Sequence, residues 1–206
     1  MVKILPQLPT HRYSLVSFVF FIWGASCGVS MAQSLNAPAA QWGVGLSAYQ
    51  LHVQDPKGSV NSARGINGLN IYYRQVVRRD VAYVLEGSMF ETSASTGAGK
   101  ISQSVHVAGM RLHLERKLRL SRTLKPWLGA GLGVFQQTFT DRRLADSDGF
   151  YQQSYPDRQR DALVLSVSLA HQWPISKHMR SGLSAMIETD AGDGVDRFSL
   201  TAQLWY

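Results

Sequence analysis

The chain has 206 residues, 45% of them hydrophobic and 17% charged, with a formal net charge of +7 and a single cysteine. That apolar content excludes a disordered chain, and one cysteine excludes a disulfide framework. The basic residues are scattered along the chain, which argues against a nucleic-acid patch.

The first segment reads as a leader. Lys3, His11 and Arg12 precede an almost wholly apolar run over residues 15–25, and no acidic residue occurs before Asp55. Ser30-Met31-Ala32 supplies the small residues that a signal peptidase needs. The pattern predicts a secretory signal peptide over residues 1–32 and one domain over residues 33–206. The apolar run falls short of the roughly 20 residues of a spanning helix. Cys27 follows Gly24-Ala25-Ser26 and lacks the aliphatic residue three places earlier that lipid attachment prefers. Cleavage after Ala32 removes Lys3, Arg12 and Cys27, leaving 19 Lys+Arg against 14 Asp+Glu, a net charge of +5. No later segment has the apolar run of a spanning helix, so a membrane role requires a barrel.

From there the chain alternates with period two. Eight strands are predicted, over residues 41–53, 68–77, 81–91, 102–115, 126–137, 162–173, 180–188 and 197–206. Most approach the roughly 9–11 residues with which a tilted strand crosses a bilayer. One parity is apolar throughout, as in Ala108, Met110, Leu112 and Leu114, or Leu163, Leu165, Val167 and Leu169. The other is small, polar or charged.

Two arguments put the apolar parity outside. Eight strands enclose an interior only wide enough for side chains, which suits Gly129, Gly131 and Gly133 better than Leu128, Leu132 and Val134. A midplane arginine facing lipid costs about 2–4 kcal/mol, whereas charges of both signs satisfy one another in a lumen. The expected lumen network is Arg74, Glu86, Arg111, His113, Glu115, Arg180, Glu188 and Arg197. Trp42, Tyr73, Tyr83 and Trp173 carry the outward parity near one end, as an interface girdle would. Met89 and Phe198 are the candidates for the opposite girdle.

Connection lengths agree. Tight turns at residues 78–80 and 174–179 alternate with longer connections, the longest over residues 138–161, while residues 116–125 are intermediate. An even strand number with short periplasmic turns leaves both chain ends in the periplasm.

The last residues resemble the C-terminal strand of bacterial outer-membrane barrels. Phe198, Leu200, Ala202, Leu204 and Tyr206 alternate, and the final residue is aromatic. With Lys125-Pro126-Trp127-Leu128-Gly129-Ala130-Gly131-Leu132-Gly133, the domain looks like the small eight-stranded outer-membrane proteins of the OmpA-barrel and OmpX kind. The resemblance implies an all-β, up-and-down antiparallel transmembrane barrel in a Gram-negative outer membrane. It implies outer-membrane lipid and lipopolysaccharide as surroundings, and the barrel-assembly machinery as a partner that reads the C-terminal strand.

The expected role is a membrane-anchored scaffold that displays outer loops. Residues 138–161 mix Arg142, Arg143, Arg158 and Arg160 with five aspartates, Phe150, Tyr151 and Tyr155. That composition suits contact with an extracellular protein, and equally a solvated, partly extended hairpin. A narrow, porin-like conduit is an alternative if the glycines leave gaps. So is a lipid A-modifying hydrolase. Ser104-Val105-His106 carries a nucleophile and a base on the outward parity, in reverse order to the deacylase pattern and without its asparagine. Residues 188–196 gather carboxylates and glycines, suggestive of calcium but also ordinary turn chemistry. No second His or Cys stands at ligand spacing from His113, so neither metal nor cofactor is expected.

Overall fold

A computed structural model describes residues 40–54, 60–94, 101–121, 124–145, 148, 150–192 and 195–206. The predicted leader lies outside the described residues. The strands in chain order are β1 Ala40–Gln54, β2 Val60–Arg78, β3 Val81–Ala94, β4 Ile101–Lys117, β5 Trp127–Ala145, β6 Tyr151–Ser154, β7 Arg158–Pro174, β8 Arg180–Asp190 and β9 Val195–Trp205. Every neighbour pair is antiparallel. The order β4-β3-β2-β1-β9-β8-β7-β5 closes through β4–β5, so eight strands form a barrel. β6 adds only a short strand to the outer end of β5.

Closure brings the two ends of the described domain together. β1 pairs β9 from Gly43↔Trp205 to Val53↔Val195, and Trp42 and Tyr206 exchange both backbone hydrogen bonds at 2.7 and 3.0 Å. A closed barrel wall has no free sheet edge, so within it each strand's backbone groups are satisfied by its two neighbours. Residues 79–80, 118–126 and 175–179 connect strands at one end, here the turn end. The opposite, loop end carries the connections β1–β2, β3–β4, β5–β7 and β8–β9.

The faces follow the alternation. Leu46, Leu112, Leu114, Val134, Leu163, Val167, Leu183, Ile187 and Leu200 are all exposed on the outer wall. Arg74, Arg111, Glu188 and Arg197 are buried inside it. This is the reverse of a water-soluble barrel, and it satisfies both the apolar band that lipid requires and the pairing that buried charge requires.

Three expectations need correction. Most strands run further toward the loop end than the membrane-crossing length suggested. Backbone pairing continues past the point where the outer face turns polar, because hairpin hydrogen bonds need no lipid. Residues 138–161 are therefore mostly strand: β5 extends to Ala145 and β7 starts at Arg158. Lastly, the lumen is not polar throughout. Its loop-end half is an apolar cluster of Tyr49, Leu51, Phe90, Val105, Val107, Phe135, Phe139, Ala162 and Val164.

Candidate functional site

The lumen is built from side chains that adjacent strands present at matched heights. Beginning at the turn end, Arg74 forms an ion pair with Glu115 and lies 4.7 Å above the ring of Trp127 and 4.9 Å above that of Trp205. Trp205 packs on Tyr72, with ring centroids 5.1 Å apart, and donates its indole N–H to Gln203 Oε1 at 3.1 Å. Both tryptophans occupy the inward parity and close this end of the lumen with ring area. Their place was legible from parity, within a face whose other residues are mostly polar or glycine.

Midway, Glu188 bridges two arginines. Its Oε1 is 2.6 Å from Arg111 Nη1, and its other oxygen pairs with Arg197. Arg111 Nε lies 3.4 Å from Glu86, and Arg111 Nη2 donates to Ser88 Oγ at 3.0 Å. His113 sits 3.8 Å from the same Glu86 and 3.5 Å from Ser168 Oγ. In this half of the lumen three buried arginines (Arg74, Arg111, Arg197) thus face three buried glutamates (Glu86, Glu115, Glu188). Equal numbers matter because an uncompensated charge in such a site costs several kcal/mol.

Above the ion pairs the chemistry changes. Arg197 stacks over Phe90 at 4.5 Å and Arg111 over Phe135 at 5.0 Å, so the guanidinium planes form the floor of the apolar cluster. Tyr49 packs on Phe90 at 4.7 Å, and its hydroxyl reaches Asn67 Oδ1 and the Glu91 carbonyl. A second polar layer caps the cluster: Arg160 pairs with Asp190 and donates to Gln137 Oε1 at 2.9 Å.

Among the described residues the space beside the glycine file is occupied. Gly129, Gly131 and Gly133 pair with Glu115, His113 and Arg111 of β4. A methyl group built on Gly131 would stand 3.0 Å from the His113 ring, and one on Gly133 2.8 Å from Arg111 Cβ. The missing side chains are the space that the charged ones fill. The free space among Arg74, Glu86, His113, Ser168, Gln203 and Trp205 is about 20 Å³, close to the roughly 10–15 Å³ that one water requires.

Seven of the eight expected network residues are buried together: Arg74, Glu86, Arg111, His113, Glu115, Glu188 and Arg197. Arg180 is not among them. It begins β8 at the turn end and is exposed, because inward parity buries nothing where the wall stops. The expected girdle residues Trp42, Tyr73, Tyr83 and Trp173 lie on the outer wall toward the turn end, with Trp42 and Tyr73 in ring contact at 4.8 Å. Phe198, Leu200, Ala202, Leu204 and Tyr206 are all exposed on that wall, as is Met89.

Ser104 and His106 are on the outer wall near the loop end. Cross-strand pairing sets His106 opposite Glu91, with 3.1 Å between Nε2 and Oε2, and Ser104 opposite Ser93, with 3.4 Å between hydroxyls. Among the described residues no hydrogen bond joins Ser104 to His106, so a base and its acid are present without an engaged nucleophile. Of the carboxylates of residues 188–196, Asp193 lies outside the described residues and the others disperse: Glu188 points into the lumen, Asp190 pairs with Arg160, and Asp196 accepts from Thr189 at 2.7 Å. Among the described residues no cluster of three His, Cys, Asp or Glu side chains is placed to hold a metal.

The hairpin beyond the barrel has its own device. Asp141 has φ 51°, and the β4–β5 register slips between Ser102 and Ser104, so Asp141 makes a bulge. Aspartate tolerates this left-handed conformation better than most side chains. The bulge turns Arg142 inward, where Nη1 donates to the Pro156 carbonyl at 3.1 Å and the guanidinium lies 5.7 Å from the Tyr155 ring. Arg142 thereby ties β5 to the strand that returns.

No family model matches the chain, and no curated protein matches it by sequence. Solved structures do match by fold. OprG, an outer-membrane protein of Pseudomonas aeruginosa, superposes with a TM-score of 0.52 at 14% identity, covering 82% of this chain and 96% of that one. Neisserial surface protein A gives a TM-score of 0.51 at 12% identity, covering 81% and 97%.

Proposed function

We propose that this chain, which has the closed eight-stranded fold of small bacterial outer-membrane barrels, is exported by its leader and inserted in the outer membrane as a solid anchor that displays its loop end. The turn end faces the periplasm in this reading. The observation that carries it is the filled lumen beneath a paired hairpin. Ion pairs, an apolar cluster and a second polar layer occupy the interior in succession, while β5 and β7 continue outward under the Arg142 tie. An interior packed like a core conducts nothing and makes a rigid base. A rigid base is what positions a binding hairpin without ordering cost.

The displayed surface is amphipathic and mixed in charge. Arg143 and Arg158 stand with Asp157, Phe150 and Tyr155 along the hairpin. Such a surface suits lipopolysaccharide phosphates or an extracellular protein partner. Two measurements test the reading. Purified protein in planar bilayers gives no discrete conductance, and protease added to intact cells cuts within residues 143–158. Steady channel openings, or complete protection of that hairpin on cells whose periplasmic markers stay intact, would overturn it.

A further inference from the structure

We propose that the turn end is a binding surface for anionic phospholipid head groups of the periplasmic leaflet. The inference rests on the membrane reading above and goes beyond it by naming a lipid class and a site.

Charge is sorted between the two ends of the barrel. Residues 78–80, 116–126 and 174–180 hold nine Lys and Arg against a single acid, Asp80. Residues 138–161, at the opposite end, hold five aspartates against four arginines. Arg78 and Arg79 are exposed on the first turn, Arg116, Arg119 and Lys125 around the second, and Lys177 and Arg180 on the third. Lys117 lies within electrostatic reach of Arg180, Lys125 and Arg119, so the cations of different turns crowd one another. Among the described residues the arginine ion pairs fall on Arg74, Arg111, Arg143, Arg160 and Arg197, and none on a cation of residues 78–80, 116–126 or 174–180. Nine cations against one carboxylate are unfavourable alone and call for an external anion.

Two observations select lipid over a distant anionic polymer. Exposed apolar side chains alternate with the cations: Leu120, Leu124 and Ile175 are 65%, 45% and 59% exposed. Such pairs fit the boundary between acyl chains and phosphates. The turns are also held tight to the rim. Lys117 N–H donates to the Asp80 carbonyl at 2.8 Å, Leu118 N–H to that of Pro126 at 2.7 Å, and Ile175 N–H to that of Met179 at 2.9 Å. The cations therefore stand at the same end of the barrel as Trp42, Tyr73 and Trp173, just beyond the girdle on the side where head groups lie.

The test uses the full mature chain folded into vesicles of phosphatidylcholine alone or mixed with phosphatidylglycerol, with the midpoint of heat-modifiable gel migration as the readout. Phosphatidylglycerol should raise the midpoint, and added salt should erase the rise. The combined substitutions Arg79→Gln, Arg119→Gln, Lys125→Gln and Lys177→Gln should abolish the rise yet leave the midpoint in phosphatidylcholine unchanged. The loop-end pair Arg64→Gln and Arg158→Gln should keep it. An equal rise in the fourfold variant, or no rise in the parent, overturns the inference while the barrel reading stands. Salt-sensitive co-sedimentation with purified peptidoglycan without any lipid effect also overturns it. A chain that gives no heat-modifiable form in either vesicle overturns the membrane reading itself.

Discussion

Arg111 stands directly across from Gly133 in the β4–β5 ladder, and a β-carbon at position 133 would fall 2.8 Å from Arg111 Cβ. The guanidinium reaches Glu188, Glu86 and Ser88 because the facing residue has no side chain. One strand supplies the charges and its neighbour the vacancy. Gly133→Val should displace Arg111 and destabilise the barrel by about 1–3 kcal/mol, the usual cost of overpacking. Urea unfolding in vesicles measures it, and an unchanged midpoint would refute the pairing of charge with vacancy.

Glu188 holds two arginines at once, so its removal is the severest single change in the lumen. Glu188→Ala leaves Arg111 with Glu86 alone and Arg197 without a carboxylate, a loss of about 3–5 kcal/mol. Replacing Arg197 by Met in the same chain should recover part of that loss, because the stranded charge goes with it. Equilibrium unfolding of both variants reads the difference, and a double variant no better than the single one would count against the network.

The outer wall gives the sharpest test of surroundings. Leu112 is 54% exposed at mid-height on β4. In water Leu112→Arg would be almost neutral, whereas at a bilayer midplane it costs about 2–4 kcal/mol. Folding free energy in vesicles, compared with Leu120→Arg in the turn, should show the penalty at position 112 only.

Ser104 and His106 bear on hydrolysis. The geometry provides a His–Glu pair without an engaged serine. Ser104→Ala and His106→Ala should leave the lipid A mass profile of expressing cells unchanged. A deacylated species that either substitution removes would establish an enzyme here.

Parity was legible throughout, because alternation is a property of each strand alone. That Leu112 and Arg111 lie on opposite faces needed no knowledge of any other strand, whereas the side that faces inward followed from the narrow interior of eight strands. Even the apolar half of the lumen left a local trace. Val105, Val107, Phe135 and Phe139 are inward-parity residues that are apolar, while the outward Ser104, His106, Gln136 and Thr138 are polar, so the alternation persists near the loop end of β4 and β5 with its apolar set on the inner face.

Chain order by itself determined eight strands, the sorting of their side chains into two faces and the alternation of the last strand. All three depend on the two-residue repeat of an extended backbone. Only the closed barrel decided that Arg74 meets Glu115, that Glu188 spans Arg111 and Arg197, that Arg180 falls outside the wall, and that Asp141 bulges to turn Arg142 inward. Those outcomes depend on register between strands far apart in the chain. A slip of one residue reverses every face while leaving each strand's own pattern intact.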